Sequence, residues 1–138
     1  MNAQERNKAQ LQRLYDEVIN PGDLERADRY ITPDRPDHDP NLPPEMTRDR
    51  EGFKLFFRMF RAAFPDQKFG IEFMIAEGDK VMAIGTVEAT HQGEFFGMPA
   101  TGKHFKVRNI DVCRFNEEGL IAEHWGLFDQ AAMQRQLS

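Results

Sequence analysis

Apolar residues recur along the first part of the chain with the period of a helix. Leu11, Leu14, Tyr15, Val18 and Ile19 fall at i, i+3, i+4, i+7 and i+8, one face of an amphipathic helix over 5–19. Asn20-Pro21-Gly22 stops it, because proline cannot continue a helix and glycine accepts the left-handed closing conformation. Asp23 is placed to cap a short second helix with Leu24, Ala27 and Ile31 apolar. The stretch 32–48 holds Pro33, Pro36, Pro40, Pro43 and Pro44 among many charges, which predicts an ordered loop or a short edge strand. Asp49 reads as the N-cap of a third helix over 50–64. Its Phe53, Phe56, Phe57, Phe60 and Phe64 form an aromatic stripe. Such a stripe is ordinarily core, and here it is also expected to wall a cavity.

From Lys68 the period changes to two, and four strands are expected at about 68–77, 80–91, 103–115 and 120–128. Glu77-Gly78-Asp79 and Asn116-Glu117-Glu118-Gly119 have turn chemistry between neighbouring strands. The connection 92–102, with Gly93, Gly97, Pro99 and Gly102, predicts a shaped loop, and a short polar helix over 129–137 closes the chain. Helices first and hairpin-linked strands after is an α+β layout in one domain spanning 1–138. A long sheet covering helices on one face must curve, and a curved sheet encloses a pocket.

Composition narrows the partners. A net charge of −5 without a basic run gives nucleic-acid binding little electrostatic support. No apolar run approaches the ~18 residues needed to span a bilayer, and no signal peptide precedes the first helix, so no membrane role and a cytoplasmic location are expected. The single Cys113 excludes an internal disulfide.

Asp111 is the most informative residue. It shares one face of strand 103–115 with Phe105, Val107, Asn109, Cys113 and Phe115, while Lys106, Arg108 and Arg114 occupy the other. Burying an unpaired carboxylate costs several kcal/mol, so Asp111 must be protonated, paired or facing a cavity. Desolvation there favours the neutral acid, as general acid/base work near neutral pH requires. A structural acid bonded to the backbone or to a histidine is the plain alternative. Pairing across the 116–119 turn is expected to set Asp111 opposite His124, a dyad that is either catalytic or a buried structural link. His38, in Asp37-His38-Asp39-Pro40, is expected at the pocket rim, and His91 lies before the 92–102 loop. Each alone is more often a surface or satisfied histidine. No metal is expected, because the histidines fit no HxH or HxxxH spacing, and no phosphate loop or nucleophile elbow is present.

Seven segments together resemble one family: YDEVINPGD at 15–23, DHDP at 37–40, FRMFRAAFPD at 57–66, IAEGD at 75–79, THQGEFFGMPATGK at 90–103, IDVCRF at 110–115 and GLIAEHWGLFD at 119–129. The chain resembles the SnoaL-like polyketide cyclases and related ester cyclases of the nuclear-transport-factor-2-like superfamily. The resemblance implies a cone-like curved antiparallel sheet packed on N-terminal helices, a cofactor-free pocket, and dimerisation through the outer sheet face. The cyclases close a ring by an aldol step, using an aspartate two residues beyond the histidine of the last strand. The matching position here is Gly126, and a pocket histidine of the cyclases falls at Asp111. Gly126 has no side chain to move a proton, so any activity is expected to differ from aldol cyclisation.

These readings combine into one expectation. The chain is a cofactor-independent acid/base enzyme of cyclase, isomerase or hydrolase type, acting on a small, largely apolar carbonyl compound or ester. Asp111 and His124 form its centre. Tyr15, His38, Phe56, Phe60, His91, Trp125 and Asp129 assist or line the pocket. The alternatives are a non-catalytic hydrophobic-ligand binder and a structural dimerisation domain.

Overall fold

A computed structural model describes Met1–Ser138, and its element order follows the change in period. Helix α1 (Ala3–Arg13) starts on Asn2, whose side chain accepts from the Glu5 backbone N–H, so it begins two residues before the expected 5. The apolar face continues to 19, but Leu14–Ile19 is wound as a π-helix. Such widened turns occur often at functional sites, and this one carries Tyr15. The expected second helix is a 3₁₀ segment, Leu24–Arg29, whose Asp23 makes no side-chain cap. Helix α2 (Arg50–Ala63) is capped as expected, Gly52 N–H donating to Asp49 Oδ1 at 2.9 Å.

Strands β1 (Lys68–Glu77), β2 (Lys80–Thr90), β3 (His104–Phe115) and β4 (Ile121–Phe128) form one antiparallel meander in chain order, and α3 (Gln130–Leu137) closes it. Two irregularities bend the sheet. Glu72 is the extra residue between Ile71 and Phe73, and Ala122 is extra opposite the Arg114/Phe115 step. Such bulges kink a strand and sharpen its twist. At the first bend the backbones nearly touch: a methyl added at Gly85 would lie 1.7 Å from the Gly70 carbonyl oxygen.

The two faces differ in kind. Inside, Val81, Ala83, Val87, Phe105, Val107 and Cys113 pack against the helices in two core clusters. Outside, Phe73, Ile84, Ile110 and Leu127 line up across all four strands, and Ile75, Met82, Val112 and Trp125 form the next row. Phe73, Ile75 and Leu127 on those rows are about half exposed. No helix is long and apolar enough to cross a membrane.

Candidate active site

Ile31 bridges to Ile121, a turn follows at Pro33-Asp34, and residues 35–39 then run beside β4 as an extended strip. His38 N–H donates to the His124 carbonyl at 2.9 Å, and His124 N–H donates to the Pro36 carbonyl at 3.1 Å. Extended backbone alternates its side chains. Arg35, Asp37 and Asp39 therefore line the cavity on the inner side, while His38 points out. The cavity has about 90 Å³ of free space, room for several waters or one small ring compound. Of its 25 lining residues 16 are hydrophobic, so an apolar body is what it fits. Phe53, Phe56, Phe57 and Phe60 of α2 supply much of that wall, with Phe56 stacked on Phe60 at 5.8 Å.

At its polar end five side chains form a continuous chain of contacts. Arg35 Nη1 lies 3.0 Å from Asp37 Oδ2, and Asp37 Oδ1 lies 2.9 Å from His124 Nδ1. His124 Nε2 is 2.8 Å from Asp111 Oδ1, and the Tyr15 hydroxyl donates to Asp111 Oδ2. Asn109 Nδ2 also donates to Asp111 Oδ2, at 3.2 Å. Burial by itself would discharge the His124 ring. Its bonds to Asp111 and Asp37 outweigh that and raise its pKa from 6.5 to about 9. His124 is thus an imidazolium at neutral pH, with both ring nitrogens engaged. Burial pushes the Asp37 carboxyl up, but His124 and Arg35 more than reverse it, leaving a carboxylate far below the usual range. Burial, then the charge and hydrogen bond of Asp111, raise the Tyr15 hydroxyl well above its usual 10. Three donors converge on Asp111, so its solution to burial is pairing at a cavity wall.

The Asp111–His124 contact forms in a different register from the one expected. Asp111 pairs with Gly126, and His124 pairs with Cys113. Diagonal neighbours on one sheet face sit ~7–8 Å apart at the backbone, within reach of a long side chain. The imidazole crosses that gap because Gly126 leaves it open. A Cβ at 126 would lie 2.7 Å from His124 Cε1 and 3.2 Å from Asp111 Oδ1. The missing side chain at the cyclase position is what makes room for this pair.

Tyr15, Phe56, Phe60, Asp111 and His124 all line the cavity; four other candidates do not. His38 is turned outward by the alternation, stacks on Trp125 at 5.2 Å and pairs with Glu123 at 2.8 Å. Trp125 lies on the outer sheet face for the same reason of parity. His91 is fully buried but stacks on Phe64, with Nδ1 3.2 Å from Thr101 Oγ1. Asp129 caps α3 by accepting from Ala132 N–H at 3.0 Å. Asp37, Arg35 and Asn109 are site residues that the reading of the chain had not assigned. The alternation of Asp37, His38 and Asp39 in a possible edge strand was the available signal.

The profile of the SnoaL-like polyketide cyclases matches residues 9–137. The chain belongs to this family. A candidate polyketide cyclase from Acidithiobacillus ferrooxidans is 35% identical over 99% of this chain and 97% of its own, with a TM-score of 0.84. IdmH, a candidate polyketide cyclase from Streptomyces antibioticus, is 33% identical over 95% of this chain and 97% of its own, TM-score 0.82. AclR, a candidate hydroxylase from Streptomyces galilaeus, is 25% identical over 97% of this chain and 82% of its own, TM-score 0.81. No protein with a curated functional description matches the chain. The names of these structural neighbours therefore differ in chemistry, and side chains must decide between reactions.

Proposed function

We propose that this SnoaL-like protein is an acid/base enzyme that enolises a small, largely apolar carbonyl compound or ester. The supporting observation is the Asp111 carboxylate, held in an apolar cavity by Tyr15, Asn109 and His124. Asp111 takes the proton from the carbon next to the carbonyl, and the C–H electron pair moves to the carbonyl oxygen as an enolate. Protonated Asp111 no longer needs the Tyr15 hydroxyl, which turns to the enolate oxygen. Tyr15 keeps its proton at neutral pH because its hydroxyl is raised well above 10, so it acts as a hydrogen-bond donor. The His124 imidazolium stays in place as negative charge passes from carboxylate to enolate. Asp37 and Arg35 hold the ring from behind. Aldol closure by an acid at position 126 is not part of this chemistry, since Gly126 has no side chain.

The test needs no physiological substrate. Acetophenone in D₂O, followed by NMR, reports α-proton exchange directly. The wild type is expected to accelerate exchange, and Asp111→Asn to lose about 100-fold or more of that rate. Exchange no faster than in buffer alone would instead favour a binding protein that uses the Phe-lined cavity.

The outer sheet face supports a homodimer. Its two rows of apolar side chains are large enough to need cover. They are bounded by Lys68, Glu88 and Lys106 at one end and by Glu77, Lys80 and Arg114 at the other. Rims carrying both signs suit a second copy related by a twofold axis. Sedimentation equilibrium should give a dimer that Ile110→Lys converts to monomer. A monomeric wild type at micromolar concentration contradicts the assembly.

A further inference from the structure

Two of the carboxyl groups on the cavity wall have both oxygens in hydrogen bonds or ion pairs with other side chains. Asp37 Oδ1 accepts from His124 and from the Asp39 backbone N–H at 3.0 Å, and its Oδ2 faces Arg35. Both Asp111 oxygens are taken by Tyr15, Asn109 and His124. Asp49, also on the wall, caps α2 through Oδ1, and the Gly52 N–H holds its carboxyl below the ordinary value, so it stays charged. Asp39 differs. Its Oδ1 accepts from Asn41 N–H at 2.8 Å, while its Oδ2 has no protein partner. The alternation of the extended strip turns this carboxyl into the cavity, next in line after Asp37. Arg48 fixes the backbone there, Nη1 donating to the Asp39 carbonyl at 2.8 Å and Nη2 to that of Leu42 at 3.2 Å.

We propose that Asp39 is a second catalytic carboxyl, the acid that returns a proton to the substrate after Asp111 has removed one. The inference rests on the enolising reading above. An enolate is a halfway point, and a finished isomerisation or addition needs a proton delivered elsewhere. Asp39 O–H breaks, its proton forms a C–H bond at a second carbon or an O–H bond on a new alkoxide, and its electron pair stays on the carboxylate. Asp111 then gives its proton to water and Asp39 takes one, so the enzyme is restored with no net proton consumed.

The surroundings fit this division. Burial raises the Asp39 carboxyl above its ordinary value. The Asn41 N–H opposes that; the charge of Asp37 on the same strip raises it further, His124 on β4 opposes, and Asp111 on β3 raises it again. Arg48 bonds only its carbonyl. A carboxyl held more readily protonated beside a second carboxyl on the same cavity wall is the arrangement that commonly divides the roles of acid and base.

The probe is 3-cyclohexen-1-one, with α-deuterium exchange and conversion to the conjugated ketone measured together. Asp39→Asn keeps the acceptor for Asn41 and is expected to isomerise about 100-fold more slowly, a loss at least about tenfold larger than its loss of exchange. Asp111→Asn should lose both. In parallel, the carboxyl ¹³C signal of Asp39, assigned by its loss in Asp39→Asn, should titrate above the ordinary ~3.9. Wild-type isomerisation by Asp39→Asn, or a midpoint at or below that value, overturns the assignment of Asp39 alone. A wild type that exchanges nothing overturns the enolising reading, and this inference with it.

Discussion

The cavity's polar end and the aromatic region around His91 each bury a histidine in the same small domain, with opposite results. His91 is 0% exposed, stacked 5.1 Å from Phe64, with one nitrogen facing Thr101 and the other without a partner. His124 is held between two carboxylates, one on the edge strip and one on β3. Burial alone makes a histidine a packing element. Burial between paired acids makes it a fixed cation, and only that arrangement gives a cavity a charge with which to work.

Removing the cation should have the largest effect. His124→Ala leaves Asp37 and Asp111 buried near each other without their shared partner, and breaking buried pairs typically costs ~3–5 kcal/mol. Urea unfolding should show that loss. His91→Leu should cost no more than about 1 kcal/mol, the scale of one hydrogen bond to Thr101. Similar losses in the two variants would erase the distinction between the regions.

The pH dependence of stability sharpens the same contrast. The His124 pKa rises on folding from 6.5 to about 9, corresponding to on the order of 3 kcal/mol. That contribution is complete below pH 6.5, declines as pH rises, and is gone above about 9. Asp37 acts in the other direction: its lowered carboxyl adds stability above its ordinary 3.8, lost as pH falls below it. Unfolding free energy should therefore fall between pH 6.5 and 9 in wild type and stay nearly level there in His124→Gln. A decline of the same size in both proteins would assign it to other groups.

A smaller change probes the space between the strands. Gly126→Ala pushes a methyl against the His124 ring, an overpacking that typically costs ~1–3 kcal/mol. Gly126→Asp should displace the imidazole from Asp111 and lower α-proton exchange. Faster exchange in Gly126→Asp would mean that the family's usual acid position is functional here without the His124 pair.

The chain reads well wherever its period is strong. The alternation from Lys68 onward predicts four strands whose ends lie within a residue of the observed ones, and Asp49 marks the start of α2. Asp111 stands out because a carboxylate breaks an apolar face. Less legible are features set by tertiary contacts. The Ala122 bulge and the register of β3 with β4 depend on the whole sheet, so the Asp111–His124 contact was inferred from a pairing that is two residues off. His38, His91, Trp125 and Asp129 are chemically suitable residues whose direction depends on parity, stacking or capping. Asp37 and Arg35 lie in a proline-rich stretch, where alternation appears only once the strip docks on β4.

The central claim is that His124 is an imidazolium clamped between Asp37 and Asp111. ¹⁵N NMR of histidine-labelled protein at pH 7.5 tests it directly, with His124→Gln assigning the signals. The account predicts both His124 ring nitrogens protonated, with deprotonation only as pH approaches 9. A neutral His124 ring at pH 7.5, with one unprotonated nitrogen, would contradict it.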